Sequence, residues 1–364
     1  MPSTRSVVPL LCLFVLIGVA ACGDESPVTP SAPVAAETDA PASTSTPIKV
    51  MTQNMYPGTN LDLVVAALAS PDPSDDAPAL AFAIQTLVET DFPSRAKLLA
   101  REIAKTRPHA VGLQEVSTFH IAAEVAGQVI DLDFLPILLA ELDARGLHYE
   151  VQGAGTNYSL DPVPGISYSQ GDALLIDADR VNVTNASHHI FSTNIGEIAP
   201  GVSLQQGWSI VDGKVKGQRV IFVSTHPESN AGGAVLSDLR AAQVTELVGT
   251  LPTGVPTFLM GDFNDFTSSP MYQVLTGANF KDLWAALRPG RVGNTCCHDD
   301  GLAETKATLD QRIDYVFTRG FGRIAGDPHA RIVIFGNQPS ERIHGPLHRL
   351  WASDHAALIA TLSR

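Results

Sequence analysis

The sequence predicts one α/β domain that follows an N-terminal leader and continues to the last residue. Short β-branched runs alternate with helical patterns across residues 48–364, and no second linker or internal repeat interrupts them. The chain is 45% hydrophobic and only 17% charged, so it can bury a large core and is not a disordered protein. We therefore expect a single folded domain over residues 48–364.

An apolar segment near the N-terminus has the features of a secretion signal. Arg5 precedes 15 nearly unbroken apolar residues, 7–21, which is fewer than the roughly 20 needed to span a bilayer. The segment ends in VAAC at residues 19–22, which resembles the lipobox of bacterial lipoproteins, where the cysteine is lipidated. We expect residues 1–21 to be a lipoprotein signal peptide and Cys22 to anchor the protein in the bacterial cell envelope, exposed outside the cytoplasm. The alternative is an ordinary secretory signal, which would release the protein.

Residues 22–47 are expected to form a disordered tether. Pro, Ala, Ser and Thr fill 18 of these 26 positions, and neither Lys nor Arg occurs among them. Such a composition cannot bury a core. The chain as a whole has 24 Lys+Arg against 38 Asp+Glu, a net charge of −14, and shows no basic face for tight nucleic-acid binding.

Five helices are predicted because apolar residues recur at helical spacing. In chain order they cover residues 61–70, 77–89, 94–106, 135–145 and 236–250. The third is the clearest, with Ser94 as the expected N-cap and Leu98, Leu99 and Ile103 on one side. The other side of that helix is expected to carry the charged residues Arg95, Lys97, Arg101, Glu102 and Lys105.

Eight strands are predicted from short runs rich in β-branched and other apolar residues. In chain order they cover residues 48–53, 110–114, 173–176, 220–224, 256–260, 315–317, 331–334 and 357–361. Six of them have polar groups at one end: Asn54, Glu115, His226, Asp262, Asn264, Asp314, Asp354 and His355. A single polar residue at a strand end is ordinary, but sheet ends are also where scaffolds place active-site groups. This set combines acids for a hard cation, histidines for proton transfer and carboxamides that donate hydrogen bonds.

The sequence excludes several other chemistries. It contains no GxSxG elbow and no GxxxxGK[ST] loop, so neither serine-type acyl transfer nor nucleotide-fuelled phosphate transfer is supported. Hydrolysis of a phosphate ester fits better, since Mg²⁺ held by one or two carboxylates keeps positions open for phosphate oxygen and water.

The ordered motifs resemble those of the endonuclease/exonuclease/phosphatase superfamily. They are QN at residues 53–54, GLQEV at 112–116, STH at 224–226, GDFND at 261–265, RIDYVF at 312–317 and SDH at 353–355. The superfamily includes DNase I-like nucleases, bacterial sphingomyelinases and inositol-polyphosphate phosphatases. The resemblance implies an α+β fold, a four-layer αββα sandwich of two packed mixed sheets flanked by helices. It also implies a Mg²⁺-dependent phosphoesterase, with Mn²⁺ as a possible substitute.

The resemblance assigns a metal site to three residues. Glu115 is expected to be the principal Mg²⁺ ligand, with Asn54 beside it and Asp354 close to the metal.

The resemblance also assigns catalytic roles. Asp262 is expected to orient or activate the attacking water, and Asn264 to hold a phosphate oxygen. His355 is the second candidate base, with Asp314 accepting from its other ring nitrogen. His226 is expected to bind phosphate or protonate the leaving oxygen. Which of Asp262 and His355 takes the proton of the water stays open.

Three further residues have expected supporting roles. Asp172 occupies a position where the family often has an acid near the first histidine, so it either orients His226 or is a solvated strand residue. Arg240 and Gln243 lie three apart on the helix after His226 and are expected to tie that helix to the sheet.

The two cysteines outside the leader are adjacent, Cys296 and Cys297. Outside the cytoplasm they can form a vicinal disulfide that rigidifies a loop. Free thiols and a zinc site are the alternatives, although neighbouring residues rarely both chelate a structural zinc.

The substrate is not resolved by the sequence. Family members often carry a basic residue where Gln206-Gly207-Trp208 stands, and an acidic insertion occupies residues 70–78. Both features argue against a tight grip on duplex DNA. We expect a monomeric phosphodiesterase that hydrolyses its substrate by in-line attack of water, with nuclease, phospholipid or sphingomyelin phosphodiesterase and phosphomonoesterase activities open. The rival class is a non-catalytic surface lipoprotein that uses the scaffold as a binding module.

Overall fold

The computed structural model describes residues 46–161, 163–199, 202–229, 234–324 and 326–363. The expected signal peptide, the lipobox cysteine and all but the last two residues of the expected tether lie outside the described residues. The folded unit already begins inside the expected tether, because the first strand starts at Pro47.

The helices of the described ranges include the five predicted from the sequence. They are α1 Leu61–Leu68, α2 Asp76–Thr90, α3 Phe92–Thr106, α4 Ala123–Ala126, α5 Phe134–Asp143, α6 Ala234–Thr250, α7 Pro270–Gly277 and α8 Leu283–Leu287, with a 3₁₀ turn at Pro339–Glu341. None of the helices in these ranges is both long enough and apolar enough to cross a membrane.

The strands include all eight that the sequence predicts, most of them longer than expected. They are β1 Pro47–Asn54, β2 Ala110–Ile121, β3 Ile130–Asp133, β4 Tyr149–Leu160, β5 Ile166–Asp177, β6 Val181–Ile190, β7 Gly196–Ala199, β8 Val202–Leu204, β9 Gly207–Val215, β10 Gln218–His226, β11 Thr257–Asp262, β12 Lys281–Asp282, β13 Asp314–Arg319, β14 Arg331–Phe335, β15 Ile343–His344, β16 Arg349–Leu350 and β17 Ala357–Ser363.

Most of these strands form two mixed sheets. The first sheet has the order β14-β17-β1-β2-β5-β4, with β3 added alongside β2, and the second has the order β12-β13-β11-β10-β9-β6. Each sheet contains one parallel pair, β1 with β2 and β10 with β11, and its other pairs are antiparallel. Two short hairpins, β7-β8 and β15-β16, stand apart from them.

The side chains of each sheet divide between two cores because alternate residues point to opposite faces. Val50 and Phe222 lie in a core shared by the two sheets. Their neighbours Met51 and Ile221 lie in outer cores, the first against α2, α3 and α5, the second against α6 and α7. The layers are therefore helices, sheet, sheet, helices, which confirms the expected αββα sandwich.

The prediction for α3 was wrong in two respects. The N-cap is Asp91, whose carboxylate accepts a hydrogen bond from the backbone N–H of Ser94 at 3.2 Å. Arg95 is not on the solvent side, since it is fully buried, and Glu102 is also buried. The error arises because the helix packs on two sides, against the sheet and against the loop after β1, so a charged residue within the first two turns is enclosed.

Candidate active site

The polar residues at the strand ends meet because of how the strands run. The parallel strands β10 and β11 end side by side, and β13 is antiparallel to β11, so it begins where β11 ends. The register pairs Asp262 at the end of β11 directly with Asp314 at the start of β13. In the first sheet, β17 is likewise antiparallel to β1, so His355 lies just before β17 at the edge where Asn54 ends β1.

Asp262 lies at the centre of this edge and is almost fully buried. Its Oδ2 accepts a hydrogen bond from Asn54 Nδ2 at 3.1 Å, which joins the two sheets. The same oxygen lies 3.6 Å from Nε2 of His226 and 3.7 Å from Nε2 of His355. Its Oδ1 accepts from the backbone N–H of Asn264 at 2.9 Å. One carboxylate oxygen therefore faces both candidate proton-transfer groups.

His355 has the partner that the sequence led us to expect. Its Nδ1 donates to Asp314 Oδ2 at 2.8 Å, which leaves Nε2 facing Asp262. Burial lowers the pKa of His355, but the carboxylates of Asp314, Asp262 and Asp354 outweigh it and raise the pKa well above the ordinary value. Burial raises the pKa of Asp314, and the neighbouring imidazole acts in the opposite direction. The pair therefore shares a proton within a buried hydrogen bond.

His226 is held in a different way. Asn264 Nδ2 donates to His226 Nε2 at 2.9 Å and also contacts the carbonyl oxygen of Pro227 at 3.2 Å. This bond assigns the proton of the neutral ring to Nδ1, which is buried and has no hydrogen-bond partner among the described residues. Burial lowers the pKa of His226, so the ring tends to stay neutral. The two histidines of the site therefore differ in charge.

Two of the three expected metal residues line the cleft, whereas Asn54 is fully buried and its Oδ1 accepts from the backbone N–H of Tyr56 at 2.9 Å. Glu115 and Asp354 both line the cleft beside Asp262. Burial, followed by repulsion from Asp354, raises the pKa of Glu115. Burial also raises the pKa of Asp354, against the attraction of His355. Three carboxylates crowded at one edge repel each other, and a divalent cation with oxygen ligands relieves that repulsion. The donor set therefore fits a divalent metal ion.

Three residues of this edge have left-handed backbone conformations. Tyr56, Glu115 and Asn264 have φ values of 56°, 54° and 53°. Such conformations in residues other than glycine cost free energy, on the order of 1–3 kcal/mol each, and are concentrated at functional sites. At Glu115 the left-handed residue coincides with a break in register between β2 and β5, so the bulge directs this side chain into the cleft.

Asp172 does not take up the expected contact with His226. It is buried on β5, and its Oδ2 accepts from Asn157 Nδ2 at 2.8 Å. Among the described residues no hydrogen bond links it to His226, and its Oδ1 has no partner. Burial raises its pKa well above the ordinary value. It is therefore not a solvated strand residue, and Asn157 uses one of its two carboxylate oxygens.

Arg240 and Gln243 do connect α6 to its surroundings, as expected. Arg240 Nε donates to Asp265 Oδ2 at 3.0 Å, and its NH1 donates to the carbonyl oxygen of Ser229 at 2.7 Å. Gln243 Oε1 accepts from the backbone N–H of Glu228 at 2.9 Å. These bonds support the GDFND turn that carries Asn264.

Arg95 is a site-supporting residue that the sequence pattern missed. Its guanidinium donates to the carbonyl oxygens of Met55, Tyr56 and Ala352 at 2.7, 3.1 and 3.2 Å, and its Nε donates to Thr90. It thereby fixes the loop after Asn54 and the loop before Asp354 to the same helix. The role of Arg95 follows from its place in the folded protein, near the N-terminus of α3 and close to the QN motif. The spacing of residues along the chain does not show this proximity.

The cleft that these residues line has an empty volume of about 1170 Å³, counting the part that is open to solvent. The cleft is also lined by residues that belong to none of the six sequence motifs: Tyr56, Asp62, Tyr158, Gln206 and Glu228. No Lys or Arg among the described residues lines it.

Cys296 and Cys297 also line the cleft and are joined as a vicinal disulfide, the first of the three alternatives. The sulfur of Cys297 lies 3.9 Å from Nε2 of His355.

Scaffold and site together define a phosphoesterase-type hydrolase. The profile of the Endonuclease/Exonuclease/phosphatase family matches residues 88–355, and the chain belongs to that family. The architecture is the DNase I-like one of that family. No curated protein matches the sequence.

Solved structures agree with this architecture. A family protein from Bacteroides thetaiotaomicron superposes with a TM-score of 0.55 at 14% identity, covering 88% of this chain and 98% of its own. One from Leptotrichia buccalis gives a TM-score of 0.53 at 13% identity, with 87% and 99% covered. The catalytic domain of human Nocturnin, solved with bound sulfate, gives 0.51 at 18% identity, with 87% and 94% covered. At these identities the likeness establishes the fold alone.

Proposed function

We propose that the protein is a Mg²⁺-dependent phosphodiesterase, with Mn²⁺ as a substitute metal, that hydrolyses its substrate by in-line attack of water. One observation carries the proposal. Oδ2 of Asp262 lies within 3.7 Å of Nε2 of both His226 and His355, so an attacking water and a phosphate oxygen have acid and base groups on either side.

Different residues act on the attacking water, on the phosphate oxygens and on the leaving oxygen. Asp262, fixed by Asn54 and by the backbone of Asn264, orients the water, and the proton of that water passes to Asp262 or to His355. Asn264 donates a hydrogen bond to a phosphate oxygen when the substrate replaces the Pro227 carbonyl as its acceptor. His226 lies on the other side of Asp262, where it binds a phosphate oxygen or protonates the leaving oxygen.

Glu115, Asn54 and Asp354 would hold the divalent ion. When bound, such an ion polarises a phosphate oxygen and stabilises negative charge that develops in the transition state. The carboxylates of Glu115 and Asp354 are suited to this because no described Lys or Arg lines the cleft to neutralise them.

A substrate panel tests the activity. Bis-p-nitrophenyl phosphate, plasmid DNA and sphingomyelin are assayed with Mg²⁺ or Mn²⁺ and with EDTA. We expect hydrolysis that EDTA abolishes, and we expect His226→Ala and His355→Ala each to lower turnover by at least about 10²-fold. His120→Ala is the matched control, because His120 is an exposed histidine on β2 whose ring contacts Asp131. Turnover that survives both site substitutions refutes the proposal.

Calorimetric titration with Mg²⁺ separates the enzyme from a binding module. We expect a binding heat in the wild type that Glu115→Gln abolishes, since the variant keeps the shape but loses the charge. A wild type that binds no Mg²⁺ or Mn²⁺ favours the non-catalytic lipoprotein instead.

We also propose that the enzyme works as a monomer anchored through a lipidated Cys22 to the outside of the bacterial cell envelope. The apolar segment at residues 7–21, which ends in VAAC at residues 19–22, supports this location. Cys22→Ser is expected to move the protein from the membrane fraction to the soluble fraction without changing its specific activity or its elution as a monomer. An unchanged membrane fraction contradicts the anchor.

A further inference from the structure

The two ends of the sandwich differ in charge. The catalytic cleft lies at the end where β1, β10 and β11 finish and where β13 and β17 begin. No Lys or Arg of the described residues lines this cleft. Its acidic residues are Asp62, Glu115, Glu228, Asp262, Asp300 and Asp354. The catalytic end is therefore rich in carboxylates.

The strand register gathers basic residues at the opposite end, where β1, β10 and β11 begin. Lys49 of β1 and Arg331 of β14 flank Thr361 on either side in the first sheet. Lys214 of β9 lies opposite Arg219 of β10 in the second sheet. We call this the distal end and define it by its basic residues: Lys49, Arg107, Arg180, Lys214, Lys216, Arg219, Lys281, Arg319 and Arg331. These residues come from separate strands and loops, so spacing along the chain does not show that they lie at one end.

Carboxylates at the distal end are fewer, and several are already paired. They are Glu150, Asp177, Asp179, Asp212 and Asp327. Asp177 contacts Arg107 and Arg180 at 3.1 and 2.7 Å. Asp212 contacts Arg219. The distal end therefore has an excess of positive charge, although the whole chain has a net charge of −14.

Three lysines keep this charge accessible to a partner. Lys214, Lys216 and Lys281 are exposed, and none of them forms a salt bridge within the part of the chain that the structure describes. Lys214 and Lys216 lie at the turn between β9 and β10 and line a groove to which both sheets contribute. An ammonium group on a flexible stem suits a surface of many anions better than one fixed ligand.

A membrane with anionic phospholipids fits this arrangement better than a nucleic acid. Anionic head groups attract Lys and Arg near the membrane surface, and a planar lipid layer requires no matched contacts. Tight nucleic-acid binding draws on clustered contacts to phosphates, which Glu150 and Asp179 in the groove beside Lys214 oppose. In addition, β1 begins at the distal end, so the chain that leads to Cys22 leaves the folded domain there.

We propose that the distal end binds the surface of a membrane that contains anionic phospholipid, with the catalytic cleft facing away from that membrane. Charge separated between two ends of a protein orients it toward a charged partner. The proposal goes beyond the phosphodiesterase function and does not depend on lipidation of Cys22. It places the cleft on the aqueous side, where it meets substrates in solution.

Vesicle binding tests the proposal on the Cys22→Ser protein, which lacks the proposed anchor. The protein is sedimented with vesicles of phosphatidylcholine alone or of phosphatidylcholine and phosphatidylglycerol in equal amounts. We expect binding only to the vesicles that contain phosphatidylglycerol, and we expect salt to weaken it because ions screen exposed charges. Absence of binding to the anionic vesicles, or binding that high salt leaves unchanged, overturns the proposal.

Charge reversal locates the binding surface. Each Lys or Arg near an anionic membrane contributes roughly a fivefold gain in binding. Lys214→Glu combined with Lys216→Glu is therefore expected to weaken vesicle binding by at least about tenfold. Where this variant does not fold, Lys214→Gln combined with Lys216→Gln removes the two charges without reversing them and is read in the same way.

The matched control is Lys97→Glu combined with Lys306→Glu, which changes the net charge equally. Both lysines are exposed and lie toward the cleft. Arg95, two residues before Lys97, bonds the loop after β1, and the carbonyl oxygen of Glu304, two residues before Lys306, accepts from Trp351 beside the SDH motif. We expect the control to weaken vesicle binding less than twofold. Equal weakening by the two pairs of substitutions refutes the distal end as the binding surface.

Two further measurements distinguish the partner and the orientation. Duplex DNA that binds the protein while anionic vesicles do not would make the distal end a nucleic-acid surface and overturn the proposal. Vesicle-bound protein should hydrolyse bis-p-nitrophenyl phosphate within twofold of the rate of free protein, and a larger loss would place the membrane over the cleft and refute the orientation. Because vesicle binding is measured without turnover, it decides the proposal even where the phosphodiesterase function fails.

Discussion

At the scale of single residues, the site depends on one carboxylate. Asp262 contacts Asn54 of the other sheet and lies between two histidines in different states. Acidic neighbours raise the pKa of His355, whereas burial lowers that of His226. The environments of the two histidines push their pKa values apart on either side of Asp262.

Replacing Asp314 with Asn is expected to lower kcat by about 10²-fold or more without unfolding the protein. The carboxylate orients His355 and contributes to its raised pKa, so its loss should lower that pKa. The pH–rate profile is the decisive measurement, and the limb that belongs to His355 should move to lower pH. An unmoved profile would show that Asp314 only supports the structure.

Arg95→Lys is expected to destabilise the protein by about 3 kcal/mol or more, because the lysine ammonium cannot span the carbonyl groups that the guanidinium fork bonds. Denaturant unfolding measures the loss. Arg101→Lys, at an exposed position of the same helix, should change stability by less than about 0.5 kcal/mol. Equal effects of the two substitutions contradict the role of Arg95.

At the scale of elements, close strand approach positions the site. The close approach next to the catalytic residues is at Gly261, directly before Asp262 in β11. A Cβ there would lie 2.1 Å from the backbone oxygen of Thr225 in the parallel strand β10. Any side chain must therefore push apart the two strands that end in His226 and Asp262.

Gly261→Ala is expected to lower both the melting temperature and kcat, the latter at least tenfold, because a displacement of about 1 Å at a reacting group can cost on the order of 10²-fold. Gly249→Ala is the control, since that helical glycine has open space around its Cβ direction and alanine is the better helix former. The melting temperature of both variants is measured by thermal unfolding, and kcat by steady-state kinetics. Full activity in Gly261→Ala would mean that β10 and β11 tolerate separation.

The elements also show which sequence patterns were informative. Strongly apolar runs such as that of β10 predicted buried strands correctly. The strands β4 and β6 were missed because their residues are mostly polar and half-exposed, with glycines and asparagines that are typical of loops. Neighbouring strands supply their backbone hydrogen bonds, and a local pattern does not contain that information.

At the scale of the whole molecule, burial of neutral histidines makes stability depend on pH. Burial, with a smaller contribution from Arg180, lowers the pKa of His109 to about 4, and burial also lowers that of His188 to about 4. An unfolded histidine has a pKa near 6.5. Between these values the unfolded chain binds protons that the folded protein does not, so stability falls as pH falls from about 6.5 to 4.

His109→Asn is expected to reduce that loss, because Asn Oδ1 can replace the Nδ1 that accepts from the backbone N–H of Lys49 but does not titrate. At pH 4 the variant should have lost about 3 kcal/mol less of its free energy of unfolding than the wild type. Unfolding curves at several pH values measure it. His120→Asn, at an exposed position, should leave the pH dependence of stability as in wild type. If His109→Asn loses as much stability as the wild type between pH 6.5 and pH 4, the prediction is wrong.

The sequence by itself determined the family, the layered fold and most of the groups at the catalytic edge, because short motifs at strand ends record chemistry that few other residues can supply. Only the tertiary structure decided how these groups are paired. Asn54 bonds Asp262 across 208 residues of chain, Asp172 turns to Asn157, and Arg95 is buried beneath the site. The physical reason is that motifs encode local chemistry, whereas partners, burial and voids arise from the packing of segments distant in sequence.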